Sequence, residues 1–166
     1  MARSALAVAL AALALAPTGA DAAAPKPWAT VNVCDTAKHP NTIGVRASMP
    51  GAERKRVRLY MRFRVQWRDR TDGRWHNLLE GRGGDSGWVS LGRSRKGRGR
   101  QAGQLFRFAA PEPGSPQVLR GRVDFQWRIG RDVVRHATAI TDKGHRSAAG
   151  SDPRGHSAAT CVLRAP

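Results

Sequence analysis

Between residues 56 and 68 the chain alternates without a break. Val57, Leu59, Met61, Phe63, Val65 and Trp67 are apolar, and Arg56, Arg58, Tyr60, Arg62, Arg64, Gln66 and Arg68 stand between them. Wound as an α-helix these apolar side chains would scatter around the whole circumference; in an extended strand they share one face. The period therefore predicts a long half-buried strand with an arginine-rich wet side. Residues 119–129 behave alike, with Leu119, Val123, Phe125, Trp127 and Ile129 alternating against Arg120, Arg122, Asp124, Gln126 and Arg128. Both segments contain Gln-Trp-Arg, at 66–68 and 126–128, with the Trp on the apolar side each time. That coincidence predicts two strands in similar positions of one sheet, with Trp67 and Trp127 in the core.

Shorter β-prone runs occupy 29–34, 42–49, 74–79, 87–92, 103–110, 133–141 and 158–163. Turn signals rich in Gly, Pro and Asp separate them, at 72–73, 80–87, 111–116, 129–132 and 150–155. No segment sustains a helical period. Seven to nine short strands in a chain of this size predict an all-β fold, a two-sheet antiparallel sandwich.

The N-terminus reads differently. Arg3, an apolar run from Ala5 to Ala16 and the small-residue pattern Ala20-Asp21-Ala22 form a secretory signal peptide over residues 1–22, with cleavage expected after Ala22. The apolar run is too short for a bilayer span, and no later segment replaces it, so a soluble, secreted protein is expected, with residues 23–166 as one domain. In that compartment the two cysteines, Cys34 and Cys161, are expected to form one disulfide joining the first and last strands.

The charge narrows the choice of partner. Residues 23–166 carry 28 basic and 11 acidic side chains, a net +17. Such a charge attracts nucleic acids, acidic cell-surface polymers or an acidic protein surface. Because 24 of the 29 basic residues of the whole chain are arginine, a composition bias unrelated to any ligand explains the same excess. The run Arg93, Arg95, Lys96, Arg98 and Arg100, interleaved with glycine, predicts a flexible loop that orders against an anion.

The stretches "RVQWRDRTDGRWHNL" and "SGWVSLG" resemble the central strands of immunoglobulin-like and fibronectin type III domains of secreted bacterial proteins. The resemblance covers about half of residues 23–166 and implies an immunoglobulin-like sandwich architecture, with no functional residues attached. One departure is plain: a Cys34–Cys161 bridge joins chain ends, whereas the immunoglobulin disulfide links two mid-domain strands over a Trp. The resemblance further implies that the two long strands pair, merging their wet faces. Arg62, Arg64, Arg120, Arg122 and Arg128 then form one cationic patch, in which facing arginines require neutralisation and Asp124 can offset one or two.

Other chemistry has thinner support. Gly84-Asp85-Ser86-Gly87 resembles the nucleophile loop of chymotrypsin-like serine proteases, but Trp88 replaces the second glycine and no supporting histidine segment exists. A glycine-rich hairpin turn accounts for it more simply. His39, His76, His136, His145 and His156 are dispersed and none has zinc spacing with a cysteine, so no metal or cofactor is called for; a loop cation site of His145, His156, Asp142 and Asp152 is the weak exception. Trp28, Trp75 and Trp88 are expected to be partly buried under loops. If exposed, Trp75 and Trp88 could stack on sugars, the mark of a carbohydrate-binding module. The reading that follows is a secreted, non-catalytic module that associates with polyanions.

Overall fold

The computed structural model describes residues 25–54, 56–78 and 83–165. The signal-peptide reading of residues 1–22, and residues 79–82 of the expected 74–79 strand and 80–87 turn, lie outside them. Nine strands form among the described residues: β1 (Trp28–Thr36), β2 (His39–Met49), β3 (Arg58–Arg68), β4 (Trp75–Asn77), β5 (Asp85–Arg93), β6 (Arg100–Arg107), β7 (Gln117–Ile129), β8 (Asp132–Ile140) and β9 (Cys161–Leu163). Among the described residues there is no helix, and so none long and apolar enough to cross a membrane.

The strands make two antiparallel sheets. The smaller runs β1-β2-β6. The larger is centred on β3 and β7, which pair over ten residues; β4 and β5 share the far edge of β3, and β8 and β9 share the far edge of β7. The two Gln-Trp-Arg segments therefore lie in adjacent antiparallel strands, at opposite ends of the pairing.

The odd residues of both long strands point into the sandwich, as the alternation predicts. Leu59, Met61, Phe63 and Val65 of β3 meet Leu119, Val123, Phe125 and Trp127 of β7, and all are buried against Ile43, Val45, Ala47 and Met49 of β2. Trp67 is a correction in degree: it packs at the margin of this core and is only partly buried, its ring tilted against His76 at 5.3 Å. Gly121 fills an inward slot of β7 where a Cβ would lie 2.7 Å from both Val45 Cγ2 and Thr141 Cγ2. The sheets approach so closely there that any side chain would push them apart.

Cys34 and Cys161 are bonded, with Cα atoms 5.3 Å apart, joining the first strand to the last and one sheet to the other. The expected 158–163 strand is shorter than the sequence suggests. Ala158 leaves it to exchange two backbone hydrogen bonds with Val31, at 2.9 and 3.0 Å, and the long 141–160 loop thereby closes the free edge of β1.

Candidate functional site

The register of the larger sheet determines which arginines meet. Across β5, β3 and β7 the outward residues stand in rows: Arg93, Arg58, Arg128; then Ser90, Tyr60, Gln126; then Trp88, Arg62, Asp124; then Asp85, Arg64, Arg122. Gln66 and Arg120 follow. With about 3.3 Å of rise per residue the rows extend over roughly 26 Å.

The middle rows are largely neutralised internally, two carboxylates facing three guanidiniums. Arg62 grips Asp85 with one edge of its guanidinium, Nε to Oδ1 at 2.9 Å and Nη2 to Oδ2 at 2.6 Å. Arg64 donates to Asp124 Oδ2, while the same carboxylate accepts from Thr138 at 2.8 Å and faces Arg122 Nε at 3.5 Å. One carboxylate thus serves two facing guanidiniums, and the Nε groups of Arg64 and Arg122 are left buried without an acceptor. Arg120 donates to Gln66 Oε1 at 2.8 Å and lies 4.2 Å over the Trp75 ring. Burial, and then the charge of Arg122, depress its pKa. Arg128 donates to Gln126 at 2.7 Å and covers Tyr60 and Trp88 at 4.4 and 5.0 Å. These cation–π stacks put a guanidinium over one face of both tryptophans that a sugar platform would use.

The end row is different. Among the described residues no carboxylate pairs with Arg58 or Arg93, both exposed, and Arg128 beside them has only its amide and aromatic neighbours. Neighbouring strands lie about 4.8 Å apart, so three guanidinium stems stand side by side within roughly 10 Å. Guanidinium forks on such stems suit phosphate, sulfate or carboxylate oxygens, that of Arg128 from its seat over Tyr60 and Trp88. Arg58 was legible only as the wet side of a strand; its pairing with Arg93 depends on a register that the sequence does not display.

Of the expected basic loop, the structure brings Arg93 into this row and takes Arg100 into the other sheet, opposite Met49. Arg95, Lys96 and Arg98 occupy the connection between β5 and β6. Arg95 and Arg98 bridge each other around Gly97, Ser94 Oγ accepts from the Ala52 amide at 2.6 Å, and the Ser94 amide donates to Val57 at 2.8 Å. A Cβ on Gly51 would lie 2.1 Å from the Arg95 carbonyl oxygen, so the 50–54 segment seats directly against the turn. Lys96 reaches Glu53 at 3.4 Å, an exposed pair of little energetic weight.

The Gly84-Asp85-Ser86-Gly87 stretch, expected as a turn, opens β5 instead. Ser86 and Gly87 together oppose Phe63, a β-bulge in which Ser86 Oγ accepts from the Phe63 amide at 2.9 Å and donates to Gly87 O at 2.8 Å. The hydroxyl is engaged on both sides by backbone, and among the described residues no histidine bonds to it. Asp85, the partner of Arg62, is the residue the sequence reading missed. Burial raises its carboxyl, but the Arg62 hydrogen bond, the Gly87 amide and the charges of Arg62 and Arg64 outweigh burial and hold it below the ordinary 3.8. Its stabilisation is therefore fully present above that value and is lost as pH falls through the lower folded value. We expect Asp85→Asn to lose about 2 kcal/mol at pH 7, since a charge-assisted bond with a side chain only 5% exposed is removed. In urea titrations the deficit should shrink below about pH 4; a deficit that is independent of pH would contradict the assignment.

The remaining expectations find other partners. Asp142 Oδ1 accepts its neighbour's amide, Asp152 Oδ2 takes the Thr36 hydroxyl at 2.6 Å, and His145 stacks on Trp28 at 4.2 Å, so these residues do not assemble a cation site. A different trio, Asp69, Asp72 and His76, lies with ligand atoms within 4.8 Å of one another at the β3–β4 hairpin. Asp69 and Asp72 accept the Thr71 and Arg74 amides at 2.7 Å, the duty of aspartates in turns. The chain matches no protein-family model and no curated protein.

Proposed function

We propose that this chain is an exported, non-catalytic β-sandwich module that binds a polyanion along the arginine face of its larger sheet, from the Arg58, Arg93, Arg128 row toward Arg64 and Arg122. The observation that carries the reading is that row: three arginines that the register sets on neighbouring strands, none of them paired with a carboxylate among the described residues. A composition bias would scatter arginines over the surface. It would not supply the middle of the face with carboxylates and leave one end bare. Export is supported by the N-terminal pattern and by a disulfide of the kind that persists in oxidising compartments.

The test is a DNA duplex, and separately heparin, titrated against the full chain between 50 and 200 mM salt. Affinity for the duplex should fall steeply, and the triple variant Arg58→Ala, Arg93→Ala, Arg128→Ala should bind at least about tenfold more weakly, with a log–log salt slope shallower by about 3. These three side chains carry no ion pair among the described residues, so the fold tolerates their loss. Binding indifferent to both salt and the triple change would refute the proposal. Binding to an uncharged glycan that is lost in Trp75→Ala or Trp88→Ala would favour a carbohydrate module instead.

A further inference from the structure

The 141–160 loop is pinned along its whole length. Asp142, Asp152 and Ala158 donate backbone hydrogen bonds to Ala29, Asn32 and Val31 of β1, and Ser157 Oγ bridges Thr30 Oγ1 at 2.7 Å and the His145 amide at 2.9 Å. Asn32 reaches back to the Gly150 carbonyl at 2.8 Å. This lattice holds two segments, 143–146 and 153–157, against each other, and a solvent-open depression lies between them.

The chemistry of its walls is one-sided. Lys143, Arg146, Arg154 and His156 line it, with Gly144, Gly155, Pro153 and Ser157, and no carboxylate among the described residues does. The loop contains two carboxylates, but Asp142 is held by the Lys143 amide and Asp152 by the Thr36 hydroxyl. Among the described residues Lys143, Arg146 and Arg154 have no ion-pair partner. The second observation is independent of charge: His156 keeps its Nε2 buried without any hydrogen-bond partner, while its own amide bonds Pro153 at 2.9 Å. A buried ring nitrogen left without a partner is costly, and because His156 also lines the depression, a ligand oxygen that reached Nε2 would relieve that cost. Gly144 and Gly155, at φ 100° and 78°, leave the backbones of these segments open to close approach.

We propose that this depression is a second, separate anion site, which takes a single phosphate or sulfate group between Lys143, Arg146, Arg154 and the His156 ring. It differs from the sheet face in scale. The loop offers one concave seat and the face a row, so the loop recognises an end group or a small ester where the face recognises a polymer. Neither depends on the other.

The test uses the full chain with inorganic phosphate, inorganic sulfate and phenyl phosphate as probes, followed by calorimetry and by the ¹⁵N resonances of the His156 ring. Saturable binding that shifts His156 Nε2 is expected, weakened at least about tenfold by Arg146→Ala or Arg154→Ala, and unchanged in the Arg58→Ala, Arg93→Ala, Arg128→Ala variant. Binding of phenyl phosphate alone would assign the site to esters; equal binding of the inorganic ions would assign it to the free anion. Arg146 and Arg154 are exposed, so their variants should fold, and the ring resonances of the unaltered protein report in any case. A non-saturating response spread over all basic residues, or a His156 ring that phosphate leaves unmoved, would overturn the site. Loss of polymer binding in the sheet-face variant with phosphate binding intact would separate the two proposals.

Discussion

Reducing the Cys34–Cys161 disulfide is expected to lower the unfolding free energy by about 5 kcal/mol, as the chain-entropy relation gives for a loop of this length. The bridged residues are 127 apart in sequence, so the bond denies the unfolded chain most of its expanded conformations. Typical domains have only about 5–15 kcal/mol in total, so the reduced protein is expected to be marginal. A structural consequence accompanies the energetic one. β9 has three residues and is held by its pairing with Gln117–Leu119 and by this bond, which also ties it across to β1. Guanidinium unfolding of the oxidised and reduced chains should show a lower midpoint and a larger m-value for the reduced form, because its denatured state exposes more surface. Hydrogen exchange should show Cys161–Leu163 opening first. Equal midpoints for the two forms would mean that the denatured chain is compact without the bond and that the ends are held by packing alone.

How much of this was legible depended on whether a feature is periodic or arises from register. β3 and β7 were readable because their inward residues repeat every second position for eleven and thirteen residues, and a slip of one would put every arginine inside. The merged arginine face follows once the two strands pair. The site within that face was not readable, since which arginine stands bare is decided by β5, whose register is shifted by a bulge at Ser86 and Gly87 and by another near Leu91. Those shifts carry Asp85 to Arg62 and Arg93 to Arg58 across 23 and 35 residues of sequence. The Asp-Ser-Gly stretch looked like a turn because it is rich in glycine and aspartate, yet Gly87, at φ 63°, belongs to the bulge. The 141–160 loop was opaque for another reason. Alternation alone puts Thr30 and Asn32 on the wet side of β1, and only the loop folded over them makes both buried. Packing between a strand and an aperiodic loop leaves no period to read.

Trp127→Ala is expected to cost about 4 kcal/mol, within the usual range for removing a large buried aromatic side chain. The ring is 1% exposed, opposes Leu59 across the β3–β7 pairing, and is closed from the sheet edge by Arg135, whose guanidinium lies 4.4 Å above it. Its indole Nε1 donates to the Pro50 carbonyl at 3.0 Å. That bond links the core to the basic turn: Pro50 precedes Gly51 and Ala52, and these seat Ser94 and the Arg95 carbonyl. Trp127→Phe separates the two roles. It keeps most of the apolar volume and should cost about 2 kcal/mol, of which roughly 1 is the lost bond to Pro50. If the indole does position the 50–54 segment, the Phe variant should also speed hydrogen exchange at the Ala52 and Ser94 amides while leaving the centre of β7 protected. A Phe variant as stable as the parent, with those amides unchanged, would show that the 50–54 segment is held by its own contacts and that the core and the arginine row are energetically independent.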